Sequence, residues 1–255
     1  MKRIMLVVAY DGTDYHGWQL QPGVPTIEGE LNKALTALLS EEIQVIGASR
    51  TDSGVHALCN AAVFDTDTKI PAQKIAYALN QRLPEDIRIQ KSKETEPDFH
   101  PRHCASRKTY EYRILNREFP LPTKRRYAHF TYVPLDEEKM RQAAAYLKGE
   151  HDFKSFCASA AVVETTVRTL YELEVIRDGE EIVLCVTGSG FLYNMVRIIA
   201  GTLMEVGKGN IEPEKMQEIL QAKDRSAAGP TAPACGLTLV RYEWQQPFGK
   251  APDVL

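Results

Sequence analysis

The stretch VRTLYELEVIRDGEEIVLCVTG, residues 167–188, decides the fold class. It holds two alternating apolar and polar runs joined at Asp178-Gly179, and Asp-Gly supplies the positive φ that a tight hairpin turn needs. Antiparallel strands are therefore expected. Upstream, TYEYRIL (109–115) alternates as a strand, and Met140, Ala143, Ala144 and Leu147 give one apolar face to a helix over 136–147. Downstream, FLYNMVRIIAGTLMEVG reads as a helix that starts at Phe191 and is closed by Gly207. A shorter helix near 213–222 and a last strand, GLTLVRYEW, follow. The order of this half is βαββαβ.

The same order is read at the other end of the chain. Residues 4–9, IMLVVA, form a continuous apolar run of the kind found in strands covered on both faces. Thr26 is placed to cap a helix in which Ile27, Leu31, Ala34, Leu35 and Leu38 keep helical spacing as far as Ser40. Strands at 43–48 and 58–64, the helix IAYALNQRL stopped by Pro84, and a strand at 86–91 complete it. The expected class is α+β: two βαββαβ halves, ferredoxin-like or RRM-like, with mainly antiparallel sheets joined into one larger sheet and helices on one face. The halves are set at 1–104 and 105–255. Their boundary near 98–106 is short and has no low-complexity linker, so they are expected to pack together.

At 255 residues and 44% hydrophobic content the chain can bury a sizeable core. No run reaches the length of a membrane span, and the apolar start is too short for a signal peptide, which points to the cytoplasm. Five scattered cysteines without a C-x-x-C pair indicate neither a disulfide framework nor a thiolate zinc site. His100, His103 and Cys104 fall outside zinc spacing, so no metal is expected. The phosphate cradles G-x-G-x-x-G and G-x-x-x-x-G-K-[ST] are absent. A formal net charge of -3 excludes a bulk pull toward polyanions, so a nucleic-acid surface would have to be local.

One local surface stands out. From Arg102 to Arg126 eight Lys or Arg residues, among them Arg107, Lys108, Lys124, Arg125 and Arg126, face only two acids, Glu111 and Glu118. With Tyr110 and Tyr112 on one side of a strand, this reads as a phosphate-binding stripe beside a stacking platform; a solvated charged face is the plainer alternative.

For chemistry, GASRTDSGVHA (47–57) sets Asp52 in a strand-end loop among Arg50, Thr51, Ser53 and Gly54. Nearby donors there favour the ionised form, suited to a nucleophile; a turn aspartate capping its own backbone is the alternative. Arg197 is the only charge in the stretch 191–204. A guanidinium in an apolar helix needs an acid, either Asp52 or a structural partner such as Glu205 or Glu174.

Taken together, YDGTDYHGWQ (10–19), GASRTDSGVHA (47–57), KTYEYRI (108–114) and GFLYNMVR (190–197) resemble the tRNA pseudouridine synthase A family over nearly the whole chain. The resemblance implies isomerisation of uridine to pseudouridine at positions 38 to 40 of the tRNA anticodon stem-loop, by a homodimer without cofactor or metal. It implies Asp52 as the catalytic Asp, Tyr110 as the active-site aromatic, Arg197 as the basic partner of the Asp and Arg50 as a residue that helps extrude the base. Two rivals are an aspartic hydrolase built on Asp52-Ser53-Gly54, for which no second D-[ST]-G occurs, and a non-catalytic RNA-binding protein that uses only the basic stripe.

Overall fold

The computed structural model describes residues 1–158 and 163–244. The elements run β1 (Lys2–Tyr10), α1 (Ile27–Leu39), β2 (Ile46–Gly47), β3 (His56–Thr66), α2 (Ala72–Asn80), β4 (Ile87–Thr95), β5 (Ser106–Asn116), β6 (His129–Thr131), α3 (Glu137–Ala145), β7 (Gly149–Asp152), β8 (Val167–Asp178), β9 (Glu181–Gly188), α4 (Met195–Gly207), α5 (Lys215–Ala222) and β10 (Leu237–Trp244). The class is α+β with mainly antiparallel strands, as the hairpin signal required. The chain divides into two compact units, Met1–Ser106 with the chain from Leu239 on, and Arg107–Thr238.

In the first unit β1 is central. It pairs antiparallel with β3 and with β4, and it is buried on both faces, Ile4, Leu6 and Val8 on one and Met5 and Val7 on the other. Thr26 caps α1 as expected, its hydroxyl accepting from the Gly29 N–H at 3.2 Å. The β1–β3 register shifts between Val8 and Tyr10, at the end of the sheet where the loops around Asp52 begin. The strand expected at 43–48 shrinks to Ile46–Gly47. Ahead of it, the backbone N–H groups of Ile43 and Val45 donate to side chains of α1, Thr36 Oγ1 and Asn32 Oδ1, and those bonds replace a ladder. The second helix starts earlier than its apolar pattern suggested, at Ala72 after Pro71.

The second unit orders its strands β5-β9-β8-β7, with β6 parallel to β5. The hairpin forms as read, and Gly179 at φ +58 supplies its turn. Two short strands, β6 and β7, interrupt the simple βαββαβ order expected here. A second correction concerns α4. The helix begins at Met195, because Asn194 sits in the left-handed region at φ 60, so Phe191, Leu192 and Tyr193 form an approach loop and not a first turn. Nor does Gly207 close it. The left-handed residue is Gly209 at φ +78, while Gly207 lies within the helix against Met140, where a Cβ would meet Sδ at 2.9 Å. No helix among the described residues is long and apolar enough to cross a membrane.

Candidate active site

In the first unit, the loop that carries Asp52 is held on both sides by the glycine-rich loop 11–19. Trp18 N–H donates to the Thr51 carbonyl at 3.1 Å, and the Tyr15 carbonyl accepts from Gly54 N–H and Ser53 Oγ, each at 3.2 Å. Asp52 sits between these braces, half-buried, on non-regular backbone just ahead of a turn. The approach is close enough to require glycine. A Cβ on Gly47 would lie 2.2 Å from Trp18 Nε1, and one on Gly12 only 2.0 Å from the Val55 carbonyl oxygen. Tyr15 and Trp18 are buried, so these aromatics pin the loop, whereas His16 is exposed.

Beneath the loop lies a polar network that the sequence alone did not reveal. Asn60, fully buried, accepts from Ser49 N–H at 3.2 Å and donates to the Ser49 carbonyl at 2.9 Å, so one amide grips both backbone groups of that residue. The same amide donates to Tyr10 Oη at 3.2 Å, and Tyr10 shares a 2.7 Å hydrogen bond with Thr51 Oγ1. Burial pushes the Tyr10 phenol up, so it remains a neutral hydroxyl at any working pH. On the far side His56 Nδ1 accepts from Gly12 N–H at 3.1 Å. Residues 49 and 51 are thus fixed while Arg50, between them, is exposed. Such buried networks are rigid when every member is satisfied. A signal was present in the sequence, since Tyr10 opens one of the four motifs; Asn60 had none, because its partners, the Ser49 backbone and Tyr10 Oη, lie 11 and 50 residues away along the chain.

In the second unit Tyr110 projects from β5 and is 6% exposed, with its ring edge-on to Phe191 at 5.2 Å. That packing explains why the approach loop to α4 is not helical: Phe191 is spent on Tyr110. Arg197, expected to be buried, is half-buried. Its Nε donates to the Ala232 carbonyl and its Nη1 to Asn194 Oδ1, both at 2.8 Å, which fixes the plane of the guanidinium. Glu205, one of the structural partners considered for it, is engaged by Lys208 Nζ and Asn210 Nδ2, each at 2.7 Å.

The basic segment is less free than its composition suggests. Arg113 pairs with Glu111 at 2.6 Å and with Glu181 at 3.4 Å, Lys124 with Glu181 at 2.7 Å, and Arg117 with Glu180 at 3.0 Å. The Lys124 ammonium holds Glu181 below the usual carboxylate range. Arg107 and Arg125 are exposed, the first lying over the Tyr171 ring at 4.4 Å, while Lys108 and Arg126 are half-buried. His100 and His103 stack their rings at 3.8 Å, and no group of three or more His, Cys, Asp or Glu among the described residues is arranged to hold a metal ion.

Comparison with known proteins identifies the family. The model of a family described as tRNA pseudouridine synthase matches residues 6–103 and 143–245, most of the chain. A tRNA pseudouridine synthase A of Thermoanaerobacter sp. (strain X514) is 49% identical over 241 residues, which cover 94% of this chain and 99% of that protein. Its counterpart in Brevibacillus brevis is 48% identical over 239 residues, 94% of this chain and 98% of that one. With four separated motifs in order, a family model across both units and relatives at nearly half identity end to end, the chain belongs to the tRNA pseudouridine synthase family.

Proposed function

We propose that this tRNA pseudouridine synthase acts at positions 38 to 40 of the anticodon stem-loop, with Asp52 as nucleophile and without cofactor or metal. The observation that carries the assignment is the bracing of Asp52: Thr51 and Ser53 on either side of it are hydrogen-bonded to fixed groups, so a half-buried carboxylate is presented without its own backbone being free to wander. Pre-positioned groups contribute strongly to rate because their ordering is completed during folding. The isomerisation breaks the N1–C1′ bond, rotates the uracil, forms C5–C1′, releases the C5 proton and leaves a proton on N1. This sum is redox-neutral and incorporates no water, so an ionised carboxylate that bonds transiently to C1′ or to C6 suffices.

In this reading Arg197 keeps Asp52 ionised, its fork held in plane by Ala232 and Asn194. Tyr110 stacks on the extruded uracil, and its hydroxyl relays the C5 proton. Arg50, exposed on a fixed backbone, fills the space the base vacates. Arg107, Lys108, Arg125 and Arg126 contact phosphates of the tRNA, and Lys124 joins them when Glu181 releases it. A homodimer in the cytoplasm completes the proposal, and sedimentation of the purified chain checks its first part. Membership of an enzyme family removes the hydrolase and the passive RNA-binding protein.

The test is release of tritium from tRNA carrying 5-tritiated uridine. Asp52→Asn should fold, bind tRNA and release none; turnover within tenfold of the parent would remove the nucleophile assignment.

A further inference from the structure

Arg168, near the start of β8, has no role in the reading above. It is half-buried, and its Nη1 donates to the carbonyls of Thr165 at 3.0 Å and Val167 at 2.6 Å, so one edge of the guanidinium is held by its own strand. Among the described residues it makes no ion pair. Its partner in register is His151, and the acid opposite the preceding residue, Asp152, is committed elsewhere: it accepts from Thr166 Oγ1 and the Lys154 N–H, and it pairs with Lys223 at 3.0 Å. Burial pushes the Arg168 pKa down, the direction expected of a cation that has lost water without gaining a carboxylate.

Its position gives this charge a use. The side chain lies along Gly190, where an added Cβ would be 3.8 Å from Nε. Gly190 belongs to the connection from β9 to α4, which is tied to β8 by two hydrogen bonds, Ser189 N–H to the Thr169 carbonyl at 2.9 Å and Thr169 N–H to Ser189 Oγ at 3.2 Å. The next residue, Phe191, is the one packed on Tyr110. Arg168 therefore flanks a small-residue loop whose other neighbour is the proposed stacking tyrosine. A guanidinium fork matches a phosphate geometrically, and a partly desolvated cation held only by carbonyls gains from an arriving anion.

We propose that Arg168 binds a phosphodiester of the tRNA backbone beside the nucleotide that stacks on Tyr110. The phosphodiester rests only on tRNA being the substrate; its placement beside the reacting nucleotide rests on the active-site reading above.

The experiment titrates binding of product tRNA, already carrying pseudouridine so that no turnover occurs, against salt concentration, for the parent, Arg168→Gln and Arg168→Lys. Arg168→Gln should bind about tenfold more weakly at low salt, and its log–log salt slope should be shallower by roughly 0.7 to 0.9, the loss of one phosphate contact. Arg168→Lys should keep the slope. In turnover the Gln variant should raise KM more than it lowers kcat. An unchanged slope in Arg168→Gln, with or without a lower melting temperature, would make the residue a structural fastener and overturn the proposal. In the parent protein, tRNA should slow phenylglyoxal modification of Arg168 at least fivefold; undiminished reactivity under saturating tRNA would also overturn it. A shallower slope in Arg168→Gln alongside a fully active Asp52→Asn would leave the phosphate contact standing and remove only its placement.

Discussion

Around Asp52, Ser49, Thr51, Ser53 and Gly54 are each hydrogen-bonded to neighbours within the first unit, while the Arg50 side chain between Ser49 and Thr51 is exposed. Along residues 111–126 of the second unit Arg113, Arg117 and Lys124 are held instead by carboxylates, and Glu180 and Glu181 at the hairpin turn cancel much of the positive charge. The first arrangement stiffens a backbone through its own hydrogen bonds. The second commits the side chains themselves. A loop braced through its backbone can present reactive groups, whereas a basic cluster braced through its charges must exchange partners before it binds a phosphate.

Breaking the braces around Asp52 should give the largest effects. Gly12→Ala and Gly47→Ala place a Cβ within 2.2 Å of Val55 O or Trp18 Nε1, so either should destabilise the fold by about 1–3 kcal/mol in denaturant titration and reduce kcat further than that loss explains. Tyr10→Phe removes a single hydroxyl from between Asn60 and Thr51. It should cost about 1 kcal/mol in stability and lower kcat several-fold with KM little changed; a change in KM alone would show that the network serves binding and not the aim of Asp52.

Smaller effects should follow from releasing the charged cluster. Glu181→Gln removes one carboxylate from Lys124 and Arg113, and it should strengthen tRNA binding about two- to fivefold at low salt with the advantage vanishing at high salt. Equal affinities at low salt would place the RNA elsewhere. The smallest effect is on acid sensitivity. Because the folded-state pKa of Glu181 is depressed, its contribution to stability is complete above the ordinary Glu value of 4.5 and is lost as pH falls through the depressed value. A stability–pH curve for Glu181→Gln should therefore run closer to the parent's at low pH than at neutrality.

Much of this was legible beforehand, for reasons that differ by residue. The alternation around Asp178-Gly179 and the spacing behind Thr26 are local signals, and the hairpin and α1 formed where they were read. The start of α4 was misread because Phe191, Leu192 and Tyr193 have helical spacing, and only the packing of Phe191 on Tyr110 and the left-handed Asn194 exclude them from the helix. The ion pairs along the basic segment were not legible, because a count of charges along the chain cannot see acids that arrive from residues 180 and 181.

By itself the sequence determined the α+β class, the Thr26 cap, the Asp178-Gly179 turn and the motifs that mark the family, because each depends on contacts within a few residues or on a pattern of side-chain types. Only the tertiary structure decided which polar groups are already satisfied: that Asn60 grips Ser49, that Tyr10 reaches Thr51, that Glu181 takes Lys124, and that Arg168 is held without a carboxylate among the described residues. Hydrogen bonds and ion pairs act over about 3–4 Å in space whatever the separation along the chain, so they become readable only once the chain has folded back on itself.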